Sequence, residues 1–276
     1  MYPNWEPNSI IANGASFNYY RTSGTKDSGK PILVLQHGFS DNGLCWGPVA
    51  QELAEDYDVI LPDARGHGLS ARVARGESID QAADLAALMH ALGVKKALVA
   101  GHSMGAQIAA ALGARFPERV TGLVLEDPPW FLPPPAAQQA PRGSMEESPM
   151  GQWMIGLKDK SLEQIMLECR EEHPTWPDGY VRAWCQGKKE LDLNFLAAGS
   201  RWDGWQEHVP GIQCPTLLIT ADPGLGGIVT PEVERMVKEM NPKIRFVNFP
   251  GVGHHIRFAV HQAYMQAFTA FVREAA

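Results

Sequence analysis

The stretch Gly101-His102-Ser103-Met104-Gly105 constrains this chain more than any other. Before it runs Lys96-Ala97-Leu98-Val99-Ala100, short, apolar and of the buried-strand type; after it runs Ala106-Gln107-Ile108-Ala109-Ala110-Ala111-Leu112, small and helix-prone. A strand that turns directly into a helix leaves no room for a Cβ on either side of the serine. Glycine is therefore required at both flanks. The pattern predicts a sharp strand–serine–helix bend that lifts one hydroxyl clear of the backbone.

Other apolar runs give this bend its surroundings. Ile32–Leu35, Val59–Leu61, Ala97–Ala100, Leu123–Leu125, Thr216–Ile219 and Ile244–Phe249 are continuous rather than alternating. Strands covered on both faces read this way, which predicts a parallel sheet with helices on each side. Ile10-Ile11-Ala12 and Ser16–Tyr20 flank Asn13-Gly14, the signature of a hairpin with a type I′ turn. Helical signals lie between the runs. Ser78-Ile79-Asp80-Gln81 has capping-box form, and Thr230-Pro231-Glu232 supplies an N-cap, a first-turn proline and an acid. The alternation predicts a doubly wound α/β fold with a mostly parallel sheet.

One connection breaks the rhythm. Pro128 to Cys214 contains no convincing sheet strand, although a plain crossover needs only about 10–20 residues. We read 128–214 as an inserted helical cap, with 1–127 and 215–276 forming the core. Helical stretches are expected near 151–172, 178–188 and 190–199, and 133–149 is expected to move as a lid. Six of the eight tryptophans fall in the insert: Trp130, Trp153, Trp176, Trp184, Trp202 and Trp205. Most would pack the cap on the core, and Trp130 and Trp153 are candidates to line an apolar substrate pocket.

Composition excludes several classes. The net charge of −7 offers no basic surface for nucleic acid or anionic lipid. No apolar run approaches the ~20 residues of a membrane span, and Met1–Glu6 lacks the features of a signal peptide. The four cysteines, Cys45, Cys169, Cys185 and Cys214, lie far apart and read as free thiols of a reducing, cytoplasmic compartment. No metal-ligand spacing is present, so no metal or other cofactor is expected. A small molecule is the expected partner, and a homodimer is compatible with such a chain.

A serine hydroxyl needs a base, and the base needs an orienting acid. Phe249-Pro250-Gly251-Val252-Gly253-His254-His255 supplies a glycine-rich loop past a strand, and His254, directly after Gly251-Val252-Gly253, is the expected base. Two acids compete for the third position. Asp222 follows Leu217–Ala221; Asp127 follows Leu123–Glu126. Asp222 is preferred, although both satisfy the order serine, acid, histidine. An oxyanion would be met by the backbone N–H of Met104, at the start of the helix, and that of Phe39 in His37-Gly38-Phe39.

Taken in order, His37-Gly38-Phe39, Asp63-Ala64-Arg65-Gly66-His67-Gly68-Leu69-Ser70, Gly101–Gly105 and Gly251-Val252-Gly253-His254 resemble the α/β-hydrolase superfamily, in its capped branch. The likeness covers nearly the whole chain and is weakest in the cap. One departure stands out: Gly224–Val229 lengthens the loop after Asp222, which keeps Asp127 in contention. Dehalogenases and epoxide hydrolases of this branch carry aspartate at the bend, so Ser103 implies acyl transfer instead. The resemblance implies a carboxylesterase acting on apolar esters, with a C–C bond hydrolase or lactonase as the alternative. A C–C hydrolase would want a cation for its substrate carboxylate, for which Arg182, Lys188, Lys189 and Arg201 are candidates. A non-catalytic ligand binder is the alternative of a different class.

Overall fold

A computed structural model describes residues 5–24, 28–132, 145–197 and 204–275. The expected lid, apart from 145–149, lies outside these residues, as do Arg201 and Trp202. The strands are β1 (Asn8–Ala12), β2 (Ala15–Arg21), β3 (Ile32–Gln36), β4 (Asp58–Pro62), β5 (Ala97–His102), β6 (Val120–Glu126), β7 (Thr216–Thr220) and β8 (Arg245–Asn248). They form one eight-stranded sheet in the order β1-β2-β4-β3-β5-β6-β7-β8. The β1–β2 hairpin and the β2–β4 pair are antiparallel, and every later pairing is parallel. Asn13 and Gly14 both take positive φ, at 46° and 73°, as the hairpin turn requires.

The continuous apolar runs have the expected cause. Alternate residues of each strand feed opposite cores. Val34, Ile60, Val99, Leu123 and Leu125 pack toward α2 (Gln81–Ala91) and α3 (Met104–Arg115). Leu33, Leu35, Leu61, Leu98 and Val124 pack toward α1 (Gly47–Leu53) and α10 (His261–Ala275). Each such aliphatic side chain contributes about 1.5–3 kcal/mol by leaving water. β8 departs from the pattern, because it closes one margin of the sheet and is exposed at both of its ends.

Two local expectations shift. The N-cap of α2 is Asp80, not Ser78: its carboxylate accepts from Ala83 N–H at 3.0 Å. Asp80 also holds Arg115 of α3, which sets that register. The helix expected over 151–172 is two helices, α4 (Pro149–Leu157) and α5 (Leu162–Glu172), because Ser161 and Gln164 form a capping box that starts a new one. After α6 (Asp178–Glu190), Leu193–Ala197 is a single 3₁₀ turn; α7 is Trp205–His208, α8 is Pro231–Met240 and α9 is Ile256–Ala259. Thus α4 to α7 stand between β6 and β7 as an inserted helical layer. Among the described residues no helix is long and apolar enough to cross a membrane.

A buried ion pair joins the end of β6 to α9. Arg257 Nη1 donates to Glu126 Oε2 at 2.8 Å, and Arg257 N–H to Glu126 Oε1 at 3.1 Å. Both side chains are fully buried, with the guanidinium 4.1 Å from the centre of the Trp46 ring. Burial pushes the Glu126 carboxyl up from its usual range, and Arg257 opposes that. Breaking such a pair costs about 3–5 kcal/mol, because one charge is left buried and unpaired. Arg257→Met is expected to lower unfolding stability by that amount in urea titration. Arg257→Met combined with Glu126→Gln should lose distinctly less.

Candidate active site

The bend at Ser103 is built as its glycines require. Ser103 lies between β5 and α3 at φ 53°, ψ −118°, outside the ordinary regions for an L-residue. A Cβ on Gly101 would stand 2.2 Å from the Gly105 carbonyl carbon, and one on Gly105 would stand 2.2 Å from the Gln36 carbonyl oxygen. Backbone bonds hold the strained residue on both sides. Ser103 N–H donates to Glu126 O at 2.8 Å, and Ser103 O accepts from Ala106 N–H at 2.9 Å. Ser103 is partly exposed while His102 and Met104 are buried.

His254 meets Asp127, not Asp222. His254 Nδ1 lies 2.6 Å from Asp127 Oδ2, and the carboxylate is fully buried. Asp127 also accepts from Ile228 N–H at 2.9 Å and Val229 N–H at 3.1 Å. With Nδ1 donating to the carboxylate, Nε2 of a neutral ring is left as the lone-pair nitrogen. Asp222 is where the sequence places it, immediately past β7, but its oxygens accept from Gly224 N–H at 2.8 Å and Gly251 N–H at 3.2 Å. The preference for Asp222 is therefore corrected. The long loop 224–229 turns back across the carboxyl edge of the sheet and delivers amides to Asp127, while Asp222 caps the turn that starts it. Asp127 itself sits at φ 42°, a left-handed aspartate just past β6.

The histidine before the serine links the two halves of the site. His102 Nε2 is 3.2 Å from His254 O, and the two rings are 4.6 Å apart. Opposite lies the loop after β3. His37 Nε2 accepts from Ala64 N–H at 2.9 Å, and Nδ1 then donates to Gly38 O at 2.7 Å. A Cβ on Gly38 would come within 2.8 Å of His102 Nδ1, so only glycine lets this loop lie on the bend. Gly38 thus rests against His102, the residue before Ser103, while Met104, the residue after it, opens α3. Helix N-terminal amides lack intrahelical partners and favour negative charge.

Trp130 is fully buried, donates from Nε1 to Gln107 Oε1 at 2.5 Å and stacks on Trp205 at 5.6 Å. Trp153 lies out toward solvent beside Trp184. A cleft of about 760 Å³ runs along α3 from Met104 to Arg115, where Gln81, Gln107 and Glu207 mix with Ile79 and Ile108; Ser103, His254, Trp130 and Trp153 are not among its lining residues. Of the described candidate cations for a substrate carboxylate, two are engaged and one is exposed. Lys188 is paired with Asp41, Lys189 donates to the Lys158 and Lys160 carbonyls, and Arg182 is exposed. Among the described residues no group of three or more His, Cys, Asp or Glu is placed to hold a metal.

Comparison with known proteins agrees with this architecture. A family model described as alpha/beta hydrolase fold matches residues 31–258. The N-formylmaleamate deformylase of Pseudomonas putida is 27% identical, over 96% of this chain and 95% of its own. Lipase 3 of a Moraxella species is 28% identical over 82% of this chain and 72% of its own. The crystal structure of an E-2-(acetamidomethylene)succinate hydrolase superposes with a TM-score of 0.77 at 18% identity, covering 98% of this chain and all of that one.

The site's buried rings make stability depend on pH. Burial holds His37, His67 and His102 below the usual histidine range, His67 at about 3. Such rings take up protons on unfolding but not in the fold. As pH falls below about 6.5 the unfolded chain binds more protons, and stability falls by up to about 1.4 kcal/mol per pH unit for each ring. Urea midpoints are expected to decline steadily from pH 6.5 to 5, with little change from pH 7 to 8. A flat profile across pH 5–7 would show that the rings protonate in place.

Proposed function

We propose that this chain, which belongs to the alpha/beta hydrolase fold family, is a serine-dependent acyl hydrolase with Ser103 as nucleophile, His254 as base and Asp127 as orienting acid. The observation that carries the reading is the 2.6 Å contact between His254 Nδ1 and the buried Asp127 carboxylate. That contact fixes the tautomer, leaves Nε2 to take the Ser103 proton, and stabilises the imidazolium that results. Ser103 Oγ attacks the substrate carbonyl, and the N–H groups of Phe39 and Met104 receive the oxyanion. His254 then protonates the leaving group and later activates the water that releases the acyl group.

The substrate we assign is a small, uncharged carboxylic ester, whose leaving group departs most easily. The engagement of Lys188 and Lys189 supports a neutral substrate over a diketone acid. A second reading, hydrolysis of an N-acyl bond, is favoured by the full-length relative, an N-formylmaleamate deformylase. The same residues serve it, with His254 protonating a poorer, nitrogen leaving group.

Three variants test the roles. Ser103→Ala should abolish turnover of p-nitrophenyl acetate and butyrate. Asp127→Asn should reduce kcat by about 10²–10⁴, the scale set by losing the orienting carboxylate of a serine triad. Asp222→Asn should stay within a few-fold of wild type. Loss at Asp222 with retention at Asp127 would reverse the assignment. A matched panel of esters, N-formyl and N-acetyl amides, and lactones separates the two substrate readings by their kcat/KM.

A further inference from the structure

We infer that Lys188, on the inserted helix α6, is a positioning residue for the oxyanion hole: it seats the loop 38–42 from above through Asp41 and the Ser40 carbonyl. The inference rests on Ser103 being the nucleophile and Phe39 N–H an oxyanion donor. Lys188 Nζ donates to Asp41 Oδ1 at 2.9 Å and to Ser40 O at 3.3 Å. Both charged side chains are only 2% exposed. Lysine and aspartate are rarely buried so completely on a surface that is merely packed.

The loop they hold has a conformation that needs holding. Ser40 sits at φ 60°, in the left-handed region that a non-glycine residue seldom adopts. Such a residue persists when its surroundings over-determine it. Phe39, immediately before it, carries the N–H assigned to the oxyanion, so a relaxation at Ser40 re-aims that donor. Within the loop, Asp41 N–H donates to Gly38 O at 3.2 Å, and from below Gly38 lies against the His102 ring. From above, it meets α6, and Phe39 also stacks on Phe195 at 6.0 Å.

The grip of α6 has three successive points. Gly187 brings helix backbone onto the loop so closely that a Cβ there would lie 2.8 Å from Ser40 O. Lys188 follows with its ion pair, its ammonium also 4.0 Å from the centre of the Trp184 ring. Glu190 Oε2 then accepts from Asn42 Nδ2 at 2.8 Å. The end of α6 is itself anchored, since Lys158 Nζ donates to the carbonyls of Lys188 and Lys189 at 2.9 and 2.8 Å. Lys188 is therefore committed to the loop rather than to a ligand. Asp41 shows the coupling: burial alone would raise its carboxyl, yet Lys188 and neighbouring His255 and Arg257 hold it down at about 2. An inserted helix that is usually credited with covering a substrate here helps to shape the catalytic machinery.

The test separates positioning from simple stabilisation. Lys188→Met keeps the stem against Trp184 but strands Asp41; combining it with Asp41→Asn removes both charges and should recover the unfolding temperature. Each protein is treated with a small fluorophosphonate, which phosphonylates an activated serine whatever the natural substrate, and assayed with p-nitrophenyl acetate. In both variants we expect the Ser103 labelling rate and kcat to fall together, on the order of 10-fold or more, with KM within about twofold. That scale is a misaimed donor's share of the 10²–10³ lost when a donor is removed. A double variant that regains stability and labels at the wild-type rate would overturn the inference, as would a change in KM alone. Wild type that is neither labelled nor active would instead sink the hydrolase reading, and this one with it.

Discussion

The Glu126–Arg257 pair fixes the geometry on which the site depends. Glu126 ends β6; its carbonyl receives the Ser103 N–H and its side chain receives Arg257. Its neighbour in sequence, Asp127, holds His254, which lies three residues before Arg257. The end of β6 thus gathers Ser103, Asp127 and His254 at the carboxyl edge of the sheet, Ser103 through the Glu126 carbonyl and the His254 segment through Asp127 and the Glu126 carboxylate. Neither partner can be lost without stranding the other in a low-dielectric interior. That asymmetry makes the pair a firm link between the end of β6 and α9, beside the contact of Asp127 with His254.

Much of this was legible in the residues. Glycines flanking Ser103 and at position 38 report close backbone approach, a local property that sequence carries directly. Continuous apolar runs report strands covered on both faces in β3 to β7; β8 is a marginal strand exposed at both ends, and the Asn13-Gly14 hairpin supplies the remaining two strands. The identity of the acid was not legible in the same way. Asp127 and Asp222 both follow parallel strands and both precede His254. What separates them is the path of residues 224–229, which returns its amides to Asp127. A loop's destination is a tertiary fact, and the only trace of it in the sequence is its unusual length. The N-cap of α2 was missed for a similar reason: Arg115, far along the chain, selects Asp80.

Other prominent residues turn out to build rather than react. Asp63, in the stretch that carries part of the family resemblance, accepts from Gly43 N–H at 2.7 Å, Leu69 N–H at 2.9 Å and Asn18 Nδ2 at 2.8 Å. It ties strand β2, the turn that starts at Gly43 and the segment at Leu69 to one carboxylate. Trp130 and Trp205 stack on one another, and the Trp130 indole N–H is occupied by Gln107. Through the Trp130 indole this stacked pair is joined to Gln107 of α3, which fastens that part of the insert to the core.

An open sheet always has two margins at which a foreign strand might add. Here the β8 margin carries Arg245, whose guanidinium reaches Glu274 at 2.7 Å and covers the Phe271 ring at 4.8 Å. An incoming chain would have to uncouple that charge and ring before it met the free amides. Charge at a sheet margin discourages runaway polymerisation of β-structure. Any lasting self-association through this margin would begin by giving up contacts the monomer already makes.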